Sequence, residues 1–274
     1  MPAALATLAF LAAAATSAQV TRNAPSYSAA TILNAASGDA NALAPYTIIK
    51  INGTNLAWDA KVLQPADVRN SMVPVVLPNT GVHAYLNNQP LGILSVSPTQ
   101  IIALVPGDLV AGPATFWVLL DGLIGPVVTL NLSPYGPGLF AKDDGTLIAS
   151  RENGDLVTPE NPLHPGEKVL LRAVGLGPAD PPLLGLEIPA IALSLDVQTT
   201  VSIYVNDNPI DPALITKVGF LPSQPGVYQL TVQLPPDTPQ NPELRIEANG
   251  FKSPVGFKLP VAVPPLPAPI LYRE

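Results

Sequence analysis

The chain has 274 residues, with 13 Lys and Arg against 20 Asp and Glu, for a net charge of −7. Glycine and proline number 20 and 34, about a fifth of the chain, well above their usual combined share of ~12%. That much proline breaks helices, which excludes a helical bundle or a doubly wound α/β enzyme, and the acidic balance excludes a nucleic-acid binder, which needs a basic footprint.

In chain order, residues 1–18 come first as a segment apart from the fold. They carry no charged side chain, run through Ala, Leu and Phe from Leu5 to Ala15, and end on the small residues Thr16, Ser17 and Ala18. This reads as a secretory signal peptide cleaved near Ala18, too short for a transmembrane helix. No other stretch is long and apolar enough to span a membrane. The expected location is secreted, cell-surface or periplasmic.

After the signal come short β-branched or alternating runs. They are Thr47–Ile51, Val82–Leu86, Ile101–Val105, Thr115–Leu119, Val127–Asn131, Lys168–Arg172, Val201–Val205, Val227–Leu234 and Glu243–Glu247. Gly, Pro, Asn and Asp separate them, as in an all-β sandwich or barrel. Along Val82–Leu86, Val82, Ala84 and Leu86 face the core, while His83 and Tyr85 face outward. Asn87-Asn88, Asn206-Asp207, Asp121-Gly122 and Asn249-Gly250 suit tight hairpins, because Asn, Asp and Gly tolerate positive φ.

An internal repeat sets the domain count. Val82-His83-Ala84-Tyr85-Leu86-Asn87 matches Val201-Ser202-Ile203-Tyr204-Val205-Asn206. Upstream, Ile49 and Ile51 match Val169 and Leu171; downstream, Asp121-Gly122 matches Asn249-Gly250. Three collinear blocks at a period of more than 100 residues mean a tandem domain and not a solenoid, whose repeats run to ~20–50 residues. The expected organisation is a signal peptide over 1–18, one β-sandwich over 26–134, and a connecting segment with a β-hairpin over 135–165. A second sandwich follows over 166–263 and a Pro-rich tail over 264–274.

Ser97-Pro98-Thr99-Gln100-Ile101, Val105-Pro106, Gly112, Trp117-Val118 and Asp121-Gly122 resemble the rhythm of IPT/TIG-type immunoglobulin-like domains. Four further blocks resemble an uncharacterised C-terminal module of secreted acidobacterial proteins. These are Asn34-Ala35-Ala36-Ser37, Gly138-Leu139-Phe140-Ala141, His164-Pro165-Gly166-Glu167 with Gly175-Leu176-Gly177, and Gly226-Val227-Tyr228 running on to Val232. The resemblance covers residues 30–263. It implies two tandem immunoglobulin-like sandwiches and secretion, and it implies no catalytic residues.

The chemistry-bearing residues are few. No cysteine is present, so disulfides, thiolate zinc sites and cysteine nucleophiles drop out. His83 and His164 are the only histidines, and no serine sits in a Gly-x-Ser-x-Gly elbow. A hydrolase is therefore a distant reading. Asp143, Asp144, Glu152 and Asp155 flank Leu147–Ala149 and are the candidate calcium ligands, although their spacing departs from the EF-hand loop and solvated turns explain them equally. No other cofactor is expected. For ligand contact the candidates are Trp58, expected exposed on a loop, Trp117, expected to face away from the core, and the matched outer-face residues Tyr85 and Tyr204. The sequence thus points to a non-enzymatic binding, adhesion or spacer protein with a protein or glycan partner at the cell surface. A carbohydrate-binding accessory module with aromatic platforms is the alternative.

Overall fold

The computed structural model describes residues 22–196 and 198–262. The signal-peptide assignment to 1–18 and the Pro-rich tail over 264–274 lie outside these residues. The described chain is built of short antiparallel strands and three short 3-10 turns.

The first sandwich packs two sheets face to face. One has the strand order Ile32–Asn34, Ile48–Asn52, Gln100–Leu104, Gly92–Val96, Lys61–Val62. The other has Val128–Leu132, Gly112–Leu120, Val82–Leu86, Gln89–Pro90, with Leu123–Ile124 folded back on Gly112–Leu120. The chain crosses between sheets in the order of the immunoglobulin fold: first, second, fourth and fifth long strands on one side, third, sixth and seventh on the other. The disulfide of antibody domains is replaced here by packing alone. Val82, Ala84 and Leu86 are fully buried against Phe116, Val118 and Leu120.

The second sandwich repeats this plan. Lys168–Val174, Tyr228–Gln233 and Ile215–Phe220 form the centre of one sheet, and Val201–Val205 pairs with Leu244–Ala248 in the other. Registers agree between copies: Ala84 faces Val118 where Ile203 faces Ile246, and Ile51 faces Ile101 where Leu171 faces Leu230. The expected hairpin residues adopt the left-handed region, with φ of 47° and 65° at Asn87 and Asn88 and 47° and 61° at Asn206 and Asp207.

Residues 135–165 differ from the expected connecting segment. Their hairpin is present, Ala149–Ser150 with Leu156–Val157, but it pairs onto Lys168–Val174, as does Gly138–Leu139. Leu139, Leu147, Ala149, Val157 and Leu163 are buried in the second core. Turn residues crowd this stretch because its strands are only two residues long; each still buries one apolar side chain, so the stretch is sheet and not linker.

The two sandwiches are fused end to end. Tyr46, Ile48, Val73 and Leu104 from the first half belong to the core of the second. The Tyr46 ring meets the edge of Phe220 at 5.4 Å, and Phe220 lies 4.1 Å from Tyr228. Backbone hydrogen bonds cross the joint from Val73 N to Leu186 O (3.0 Å), Ile188 N to Ser71 O (2.7 Å) and Gly107 N to Gly185 O (2.8 Å). At the opposite ends, Ser26 is bonded to Thr54, and Leu163 to Pro260 and Ala262. Ile48–Asn52 runs from the joint toward the Ser26–Thr54 bonds, and Lys168–Val174 runs toward the joint from the Leu163 side, so the described chain starts and ends away from the joint.

Candidate functional site

Strand alternation and register build one distinctive surface, the outer face of the first sandwich's Val82–Leu86/Gly112–Leu120 sheet. With Ala84, Phe116 and Val118 pointing inward, His83, Tyr85, Trp117 and Leu119 point outward. Tyr85 stands directly opposite Trp117, His83 opposite Leu119, and Leu119 in turn opposite Ile124. The Tyr85 and Trp117 rings stack at 4.1 Å between centroids with 13° between planes. His83 runs near-parallel to Tyr85 at 6.2 Å and 21°. Ile124 and Val127 extend the surface, 60% and 66% exposed. None of these side chains carries a carboxylate, ammonium or guanidinium.

The polar tips on this face are unusual. The hydroxyls of Tyr27, Tyr46, Tyr204 and Tyr228 donate to protein oxygens, that of Tyr135 accepts from Asn249, and the Trp58 indole N–H donates to Asp121. Tyr85 Oη and Trp117 Nε1 have no hydrogen-bond partner among the described residues. The two rings face each other, so they present edges and outer faces to solvent, not the continuous flat platform expected of a stacking site.

The matched face of the second sandwich has been made polar. Tyr204 stands opposite Arg245, donates its hydroxyl to Glu247 Oε2 at 2.9 Å, and carries Lys252 Nζ 4.1 Å above its ring. Glu247 also pairs with Lys252 at 3.6 Å, and Arg245 with Asp207 at 2.9 Å. These charges satisfy one another, leaving Tyr204 engaged internally.

Trp58 is not the exposed loop residue that its sequence position suggests. It is half-buried against the first core, its indole N–H bonds Asp121 Oδ2 at 2.7 Å, and Arg22 covers its ring at 4.9 Å. Arg22 pairs with Asp121 at 3.7 Å, closing a three-residue clasp on the Asp121-Gly122 hairpin. Trp58 holds structure.

The calcium candidates are not brought together either. Asp144 accepts the Thr146 backbone N–H at 2.8 Å, which holds its carboxyl below the usual carboxylate range. Asp155 bonds Asn153, and Glu152 faces Lys168 at 3.7 Å. Among the described residues no three Asp, Glu or His side chains, Asp143 included, gather as a metal site. The two pairs close separate turns, as the Asp144-Gly145 and Asn153-Gly154 steps require. The sequence placed His83 outward without assigning it to a contact face, and it did not single out Leu119 or Ile124. The available signal was a run of uncharged outward positions beside charged ones in the other copy.

No family model and no curated protein matches the chain. Solved structures of multi-domain β proteins do match, at low identity. A surface glycan-binding protein, PbSGBP-B from Prevotella bryantii, is 12% identical with a TM-score of 0.29, over 79% of this chain and 37% of that one. Domains 5–6 of the S-layer protein SbsC are 10% identical with a TM-score of 0.26, over 81% and 92%. Tandem Ig repeats of Dlar are 12% identical with a TM-score of 0.21, over 88% and 96%. The chain spans 37% of the glycan-binding protein and 16% and 18% of two plexin A4 extracellular regions it also matches. No helix among the described residues is long and apolar enough to cross a membrane.

Proposed function

We propose that this chain is a secreted or cell-surface, non-enzymatic binding and spacer protein. Its two immunoglobulin-like sandwiches act as one stiff strut that presents a contact face to a protein or glycan. The joint carries this reading. A spacer must hold its ends apart, and here apolar side chains and several backbone hydrogen bonds cross between sandwiches while the described chain starts and ends away from the joint. Interfaces of that kind suppress the domain motion otherwise expected of tandem modules. Residues 1–18 and the resemblance to modules of secreted proteins support export, with cleavage giving Gln19 as the mature N-terminus.

Calorimetry and small-angle scattering on the purified chain test it. One cooperative unfolding transition and a scattering profile fitted by a single rigid elongated particle are expected. Two independent transitions with a flexible, two-body profile would sink the strut. Turnover of any substrate, abolished by one side-chain change, would sink the non-enzymatic reading. A carbohydrate-binding accessory role is the alternative, favoured by the solvent-facing ring edges and outer faces that Tyr85 and Trp117 present beside one another.

A further inference from the structure

We infer that the outer face centred on Tyr85 and Trp117 is the docking site for an uncharged polysaccharide, and that the equivalent face of the second sandwich is not. The inference rests on the binding reading above and names its ligand class. Three observations combine. The face is apolar and aromatic and carries no carboxylate, ammonium or guanidinium, so it lacks the acidic or basic side chains with which a basic peptide, a phosphate or a uronate is commonly paired. Its aromatic polar tips, Tyr85 Oη and Trp117 Nε1, make no hydrogen bond to another described residue, while the other described tyrosine hydroxyls and the other indole are bonded within the protein. At the matched position of the second copy the same tyrosine is consumed by Glu247 and Lys252.

A ligand for such a face must bring C–H surface and hydroxyls together. Pyranose rings do both: their C–H patches pack on ring edges and faces, and their hydroxyls meet a phenol that donates or accepts and an indole that donates. A second copy of this chain fits less well, because apposing two such faces would bury the phenol and indole tips against each other's apolar rims. The shape argues for a chain and not a single sugar. Tyr85 and Trp117 sit on neighbouring strands of an open sheet, where a lone sugar would bury little surface, whereas an extended polymer crosses both strands and reaches the exposed Thr115 and Thr129.

The test is co-sedimentation of the purified chain with microcrystalline cellulose, chitin, curdlan and insoluble xylan, with polygalacturonate as the anionic comparison. Retention on at least one neutral polymer is expected, unchanged by about 0.5 M NaCl because no ion pair is involved. Trp117→Ala should weaken it by about tenfold or more, and Tyr85→Phe, which keeps the stack and removes the hydroxyl, by a few-fold. Tyr204→Phe should leave it unchanged. Trp117→Phe retains a stacking ring and covers the case in which the alanine variant fails to fold; it too should bind less tightly. No retention of the native chain on any of the four polymers overturns the inference, as does equal retention of a folded Trp117→Ala, or retention on polygalacturonate alone. A dimer in sedimentation equilibrium that Trp117→Ala splits would also overturn it, by making the face a self-contact. Each of these leaves the strut standing if the scattering shows one rigid body, so the two failures are distinguishable.

Discussion

Asn34 and Gly136, 102 residues apart in the chain, are joined by a 2.9 Å hydrogen bond from the Asn34 amide to the Gly136 carbonyl. The same amide nitrogen donates to Ala42 O at 2.9 Å, while Asn34 Oδ1 accepts from the backbone of Ala36 and Ser37 at 3.0 Å. The residue is fully buried: the two bonds its amide donates lie away from water, and the two its oxygen accepts are partly buried. Gly136 in turn donates its N–H to Gly175 O at 2.9 Å, carrying the connection into the second sandwich.

Asn34→Ala would take their partner from two buried carbonyls and two part-buried amides, and Asn34→Asp would set a carboxylate oxygen against the two carbonyls. Each should lower unfolding stability by about 2–4 kcal/mol. Urea denaturation reads this as a lower midpoint at unchanged slope. A midpoint within error of the native chain would remove Asn34 from the joint's supports.

Glycines at the joint should be far less replaceable than glycines in open turns. A Cβ on Gly175 would lie 2.0 Å from Gly136 O, on a backbone already at φ +71°. At Gly154, with φ +91°, a Cβ would meet nothing within 4 Å. Gly154→Ala should therefore cost only about 1–2 kcal/mol of backbone strain, whereas Gly175→Ala should exceed about 3 kcal/mol or fail to fold. Equal melting temperatures for the two variants would contradict the close approach.

These positions show what a sequence can and cannot reveal. The alternation of Val82, Ala84 and Leu86, the paired Asn and Asp turns and the tandem repeat were all legible, because each depends on neighbours in the chain. The blocks around Asn34, Gly138, Gly175 and Gly226 were visible as motifs, but their reason was not. Gly138 packs against Asn34 Oδ1, and Gly226 against Ile48 and Leu104, contacts between residues roughly 100 or more positions apart that leave no periodic trace. Of the candidate site, Tyr85 and Trp117 were each legible as outward-facing. That they stand opposite one another follows from strand pairing across a 30-residue excursion, which alternation within either strand does not encode. The role of Trp58 depends on where Arg22 and Asp121 arrive, which is likewise a matter of tertiary placement.

Because the Asp144 and Asp155 turns close on their own backbone and amide donors, calcium has nothing to add to them. Chelation with EDTA should leave the melting temperature unchanged, and added calcium should not raise it. A rise with added calcium, reversed by chelation, would show that these carboxylates converge on a cation after all.

Stability should fall at alkaline pH, and buried phenols set the window. Burial pushes the Tyr27 hydroxyl up to about 12, partly offset by the Val118 N–H that it accepts. Burial also raises Tyr46, with the nearby Glu187 charge adding to it, and raises Tyr228, whose hydroxyl donates to Gly177 O at 2.5 Å. In the unfolded chain these phenols lose their protons near pH ~10. Between that point and the higher native values the folded state holds more protons, so stability declines as pH rises. The contribution is fully present below pH ~10 and is lost as pH climbs through ~12. Urea midpoints should therefore be level up to about pH 9.5 and then drop. Tyr27→Phe should soften that drop while starting from a lower midpoint, since Val118 N–H loses its acceptor. A native midpoint that stays level to pH ~12 would mean that these hydroxyls ionise as freely folded as unfolded.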